Sequence, residues 1–232
     1  MRALIISTMP YVLWIMTLFD GLFIFSMFRE FIKGKSAIAI LTAILCLGLF
    51  YDSLILALGS LLPYGTLLQT LSQFRYILHL TLIPLLFPIC AYALTDNRKI
   101  IIAVWIVAVI IMVLGLYAGI STVTEPRTVG ALRRYATSDL NPAFADRMTS
   151  LLDVVPVFFM IGIGVYLLIK KKNVHMLLAG AMMLLFTLLG IFLGKDPSGD
   201  RSQSLMFYIS MFGEALMVYH LWRFVRREEQ RK

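Results

Sequence analysis

Long apolar runs separated by short polar breaks fill most of the chain. Seven of them reach the roughly 20 residues that a helix needs to cross a hydrocarbon layer. They lie at about 9–28, 37–61, 74–95, 100–121, 149–169, 174–194 and 205–225. The pattern predicts an all-α polytopic membrane protein, a seven-transmembrane-helix bundle forming a single domain over residues 1–232. One break is much longer than the others. Residues 122–148 are expected to form an external loop containing Glu125-Pro126-Arg127, a short helical candidate over Val129–Tyr135, and a turn at Asn141-Pro142. A connection of more than twenty residues in a compact protein often serves as a lid or a binding element.

Composition supports this class. Hydrophobic residues make up 60% of the 232 and charged residues only 15%, with mean hydropathy +0.86, far from a soluble domain. The first segment is expected to be retained rather than cleaved: Asp20 sits in its middle, and no small-x-small site follows before Phe28-Arg29. Counting basic residues in alternate breaks gives thirteen on the side that holds Lys170-Lys171-Lys172 and Arg226-Arg227, and eight on the other. The positive-inside rule then places the N-terminus outside and the C-terminus in the cytoplasm of a multi-pass cell-membrane protein. The net charge of +8 reads as this topology signal plus attraction to anionic headgroups, so membrane lipids are the expected surroundings. No basic domain stands outside the membrane, and no nucleic-acid partner is expected. Oligomeric state is left open.

Small residues and prolines mark where helices meet or bend. Gly115 and Gly119 in the fourth run, and Gly190 and Gly194 in the sixth, are spaced to admit a close neighbour. Pro84 and Pro88 in the third run, and Pro156 in the fifth, each remove a backbone hydrogen bond; a kink at Pro84 falls just below His79. Cys46 and Cys90 fall inside runs, where a thiol acts as a small hydrophobe.

The chemistry must come from ionisable residues inside these runs, because a charge at the bilayer centre costs at least ~2.5–3.5 kcal/mol. They are Asp20, Asp52, His79, Asp153 and Glu214, with Arg75 one turn from His79 on the same helix face. Counted inward at 1.5 Å per residue, all five fall in the outer half of the membrane. Asp153 is expected within one turn of the interface, where water explains it. Glu214, Asp52 and His79 are the candidate acid–base groups; Arg75, Asp20, Arg133 and Arg134 are candidates for substrate binding. The arginines of the long loop suit an anionic headgroup or a diphosphate. Asp52 could equally be a structural ion-pair partner of Arg75. His220 reads as an interfacial anchor and His175 as solvated.

No metal or cofactor is expected, since catalytic zinc usually draws on several His or Cys ligands and His79 alone lies in this half. The paired histidines of the seven-helix ceramidase-like and progestin-receptor-like hydrolases are missing after His220, the last helix holds no lysine for retinal, and neither a Gly-x-Ser-x-Gly elbow nor a phosphate-binding glycine loop occurs. In size, in its seven runs, in one acid in each of the second and seventh, and in the tail Trp222-Arg223-Phe224-Val225-Arg226-Arg227, the chain is similar in layout to the small integral-membrane terpene cyclases of meroterpenoid pathways. That resemblance implies a carboxylic acid, Asp52 or Glu214, that protonates an isoprenoid olefin or epoxide. The chain departs from the pattern in having Asp where Glu is expected and the reverse, and in lacking a Trp-Glu context around the first acid. The expected function is acid–base chemistry on a lipid-like or isoprenoid substrate at an outward-facing intramembrane site. A proton-coupled small-molecule transporter, and a binding or sensory subunit with structural polar residues, are the alternatives.

Overall fold

The computed structural model describes residues 2–195 and 204–229. It is a helical bundle with one β-hairpin at one end. The elements are α1 (Arg2–Gly34), α2 (Ala37–Leu58), α3 (Thr66–Leu82), a 3-10 turn (Ile83–Leu85), α4 (Leu86–Leu94), α5 (Arg98–Ser121), β1 (Thr124–Val129), β2 (Leu132–Thr137), α6 (Ala143–Lys171), α7 (His175–Leu193) and α8 (Met206–Glu229). Six stretches are long and apolar enough to cross a membrane: α1, α2, the broken α3–α4 unit, α5, α6 and α7. The expected seventh, α8, is long but more polar, with Glu214 and His220 in its interior. Its surroundings account for that composition. It packs against α1, α2 and α7, which buries Glu214 and half-buries His220, while Arg223, Arg226 and Arg227 at its end are exposed.

Breaks between helices follow local chemistry. Ser36 caps α2 by accepting from the Ala39 amide at 3.4 Å, and Asn97 caps α5 by accepting from the Lys99 amide at 3.0 Å. Pro84, which has no N–H, coincides with the 3-10 turn that separates α3 from α4, the break expected below His79. α3 begins at Thr66, well before the expected 74. The polar run Gln69–Gln73 hid its first turns from a hydropathy window.

Helix contacts are closest where side chains are smallest. A Cβ on Gly115 would meet the Leu80 carbonyl, and one on Gly119 would lie 2.7 Å from Ile77 Cα. These two glycines therefore let α5 lie directly on α3, the helix that carries Arg75 and His79. Among the described residues the other side of α5 has no partner: Ile102, Ile106, Val109, Val113 and Ile120 are exposed, as lipid-facing positions should be. Cys46 and Cys90 are free and fully buried in the central core.

The helical bundle is as expected, and the long connection corrects one expectation within it: Val129–Tyr135 is not helical. Residues 124–137 form an antiparallel hairpin that pairs Arg127 with Arg134 and Val129 with Leu132. The Thr- and Val-containing stretch from Thr124 to Val129 suits a strand, and Gly130 turns the chain at φ +60°, a conformation in which side chains are disfavoured. Ile6 of α1 sits where a Gly130 Cβ would be. The Arg133 amide donates to the Gly59 carbonyl at 2.9 Å. Val129 and Leu132 insert into a second apolar cluster with Met9, Leu13, Leu56 and Met211. The hairpin is thus bolted onto α1, α2 and α8. Asn141 closes the connection, accepting from the Val123 amide at 2.9 Å and donating to Asp146 at 2.6 Å.

Candidate functional site

Beneath the hairpin lies a cavity of about 480 Å³, within the ~300–1,000 Å³ typical of small-molecule sites. α2 contributes Asp52, α3 contributes Arg75, Tyr76 and His79, α6 contributes Asp153, α7 contributes Met183 and Thr187, and α8 contributes Phe207, Ser210 and Glu214. Arg127, Arg134 and Thr137 of the hairpin and Lys195 beyond α7 also line it.

Spacing along each helix explains the convergence. Arg75 and His79, four apart on α3, project from one face, and Tyr76 lies between them on the adjoining surface. Asp52 stands six residues before the end of α2, and Glu214 eight residues after the start of α8. At 1.5 Å per residue these are about 9 Å and 12 Å from the hairpin end. α2 and α8 are in contact, so the two acids meet at matching depth.

Asp52, His79 and Glu214 each offer a ligand atom within 4.8 Å of the others. Asp52 and Glu214 are buried, His79 half-buried. Asp52 accepts from Arg75 Nη1 at 2.9 Å, with both side chains about one-tenth exposed, and the Arg75 guanidinium also lies 4.6 Å from the centre of the Tyr76 ring. The expected ion pair is therefore present inside the cavity, and one Asp52 oxygen is committed to it. Neither His79 nor Glu214 has a hydrogen-bond partner among the described residues. They face the cavity with open valences.

These three residues are also the ones that could hold a divalent cation. Ligand atoms at ~2.1 Å from a shared ion stand at most ~4.2 Å apart, so a small rotamer adjustment would bring them to it. Arg75 beside Asp52 opposes such an ion by adding a fixed positive charge.

Other sequence candidates fall elsewhere. Asp20 does not line the cavity; it is buried behind it, accepting from Ser53 Oγ at 3.0 Å, and so ties α1 to α2. Arg133 turns away, its Nη1 donating to the Leu62 carbonyl at 3.3 Å. Alternation along β2 sends neighbours to opposite faces, which is why Arg134 does reach the cavity. Its guanidinium stacks 3.8 Å from the centre of the Phe207 ring and is 7% exposed. Burial pushes its pKa down to about 10, high enough to keep it charged near neutrality.

Asp153, set aside as interfacial, belongs to the cavity wall. α6 starts at Ala143 rather than 149, which buries Asp153 ten residues, about 15 Å, into the helix. Tyr76, Thr187, Ser210 and Phe207 were also missed, since such residues carry no signal in an apolar run. At the far end of the bundle His175 and His220 do not stand apart as anchor and solvated residue: their Nδ1 atoms are 3.4 Å apart and the rings stack. No family model matches the chain, and no curated protein matches it.

Proposed function

We propose that the protein is a multi-pass cell-membrane enzyme that carries out acid–base chemistry on a lipid-like or isoprenoid substrate in the cavity beneath the hairpin. The observation that supports this most is the convergence of Asp52, His79 and Glu214, from three different helices, on one partly apolar cavity. A purely structural polar cluster satisfies its own hydrogen bonds; among the described residues Glu214 and His79 make none. In this reading Glu214 donates its proton to a double bond or an epoxide oxygen, whose electron pair takes it. Asp52, paired with Arg75, lies beside the resulting cation together with Tyr76. His79 then removes a proton from the neighbouring carbon, whose C–H electron pair forms an alkene (an allylic alcohol where the epoxide C–O bond has opened), and returns it to Glu214. The sum is an isomerisation with no co-reactant. Positioned groups of this kind typically contribute 10²–10⁴-fold each.

The topology that accompanies this reading has α8 as a seventh span, the N-terminus and hairpin outside, and the Lys170–Lys172 end in the cytoplasm. Among the described residues, none of α4 lines the cavity, which favours a one-sided site over the two-sided path of a transporter. The test is Glu214→Gln and Asp52→Asn, scored for folding by gel filtration in detergent and for activity by the lipid composition of the host membrane. Normal folding with changed lipids in Glu214→Gln is expected. Folded Glu214→Gln protein with wild-type lipid composition, where deletion of the whole gene changes it, would remove the acid role.

A further inference from the structure

The mouth of the cavity differs in charge from its floor. Acids gather at the floor: Glu214, Asp153 and the Arg75-paired Asp52. Arg127, Arg134 and Lys195 contribute cations from the hairpin and from the end of α7. Arg127 is half engaged, with Nε and Nη2 both donating to one oxygen of Glu125 at 3.0 and 2.7 Å. Among the described residues Arg134 is engaged by no acid. Its Nε is buried without a hydrogen-bond partner among the described residues, and the face of Phe207 is its nearest compensation. A guanidinium lying over a ring keeps its N–H edge in its own plane, and that edge matches two oxygens of a phosphate. A neutral headgroup could accept from one of these N–H groups but would leave the buried guanidinium's charge uncompensated, which is the costly arrangement.

We propose that Arg134, with Arg127 and Lys195, forms a phosphate-binding collar at the cavity mouth, and that the substrate is a phosphorylated amphiphile whose head lies under the hairpin and whose chain runs toward Glu214. This rests on the reading of the cavity as a substrate site and adds its substrate class. Three cations around one mouth favour a dianionic phosphate or a diphosphate over a single carboxylate. The aliphatic walls, Leu56, Leu80, Met183 and Ile191, suit the chain.

Binding of dodecyl phosphate, dodecanoate, dodecanol and inorganic pyrophosphate to the full chain in dodecyl maltoside, followed by thermal shift and thermophoresis, tests the collar. Dodecyl phosphate is expected to bind best and to lose about tenfold or more in Arg134→Gln, the scale of a lost charge-assisted contact, with part of the loss restored in Arg134→Lys. Dodecanol should bind both proteins equally weakly. Arg133→Gln, whose side chain faces Leu62, should match wild type. Should Arg134→Gln fail to fold, the Arg127→Gln/Lys195→Gln double variant must show the same selective loss. Equal affinity for phosphate and alcohol, or phosphate affinity unmoved in these variants, would overturn the collar. Pyrophosphate binding as tightly as dodecyl phosphate would overturn the amphiphile and leave a free phosphate as the ligand. Glu214→Gln separates the two readings: it should keep Arg134-dependent phosphate binding. If Glu214→Gln alters host lipids while Arg134→Gln changes no affinity, only the collar fails.

Discussion

Replacing Asp52 with Asn strands the Arg75 guanidinium. The pair is a single 2.9 Å Nη1–Oδ1 contact between side chains that are about one-tenth exposed. Removing one partner of a buried ion pair costs ~3–5 kcal/mol because the other charge is left uncompensated. Neutral hydrogen bonds between membrane helices couple by only ~0.6 kcal/mol on average, with a maximum near ~1.7. Asp52 and Arg75 belong between these limits, since both are buried yet border a cavity that admits water. Asp52→Asn is accordingly expected to cost about 3 kcal/mol, and Arg75→Met less, because a lone carboxyl can take up a proton whereas a lone guanidinium cannot lose one. Asp52→Asn/Arg75→Met should recover about 2 kcal/mol relative to the sum of the single changes, inside the range seen for contacting residues. Cys46 and Cys90 supply the assay. Both are free and 0% exposed, so maleimide labelling across an SDS titration in mixed micelles reports unfolding directly. A coupling below ~0.5 kcal/mol, or an Arg75→Met cost equal to that of Asp52→Asn, would refute the reasoning and make the contact incidental.

Two further outcomes follow from local geometry. Gly119→Ala puts a Cβ 2.7 Å from Ile77 Cα, backbone that cannot move aside, so it should cost about 1–3 kcal/mol of overpacking; Gly162→Ala, with nothing within 4 Å, should be neutral or slightly stabilising by the same labelling assay, and equal effects would undo the close α3–α5 packing. The Ser138 hydroxyl at 2.8 Å and the Arg127 guanidinium hold the Glu125 carboxyl below its ordinary value, so its contribution is present above the ordinary carboxyl pKa and is lost as pH falls through the lowered one; the protection factors of hairpin amides, exchange rates divided by the intrinsic rate at each pH, should fall on acidification in wild type, and a Glu125→Gln protein showing the same pH response would discount that carboxyl.

Hydropathy made the helices legible and misplaced several of their ends. Membrane runs announce themselves by length, and the Pro84 break and the Gly115/Gly119 contact follow from what those residues cannot do. Helix starts outside the apolar run are silent: Thr66–Gln73 and Ala143–Met148 are mostly polar or small, so α3 and α6 looked shorter than they are. That error pushed Asp153 to the surface on paper and His79 too shallow. Asp52, Arg75, His79 and Glu214 could be singled out because charge in an apolar run is conspicuous. Which of the neighbouring Arg133 and Arg134 enters the cavity depends on hairpin register, and no hydropathy window carries that.

The apolar stretch of α1 from Ala3 to Phe28 is 26 residues long, about 39 Å as a helix, against a hydrocarbon layer of ~30 Å. In the proposed topology some 9 Å, six residues, is taken up by tilt or emerges among the headgroups, and Ile6, the residue seated under Gly130, lies at the outer end of that stretch. In that topology a hairpin pinned there would hang near the depth of the lipid phosphates and short of open water. An amphiphile already resident in the bilayer would meet the mouth at its own level, so its head could pass sideways from one set of polar partners to another without its tail ever being drawn out of the oil.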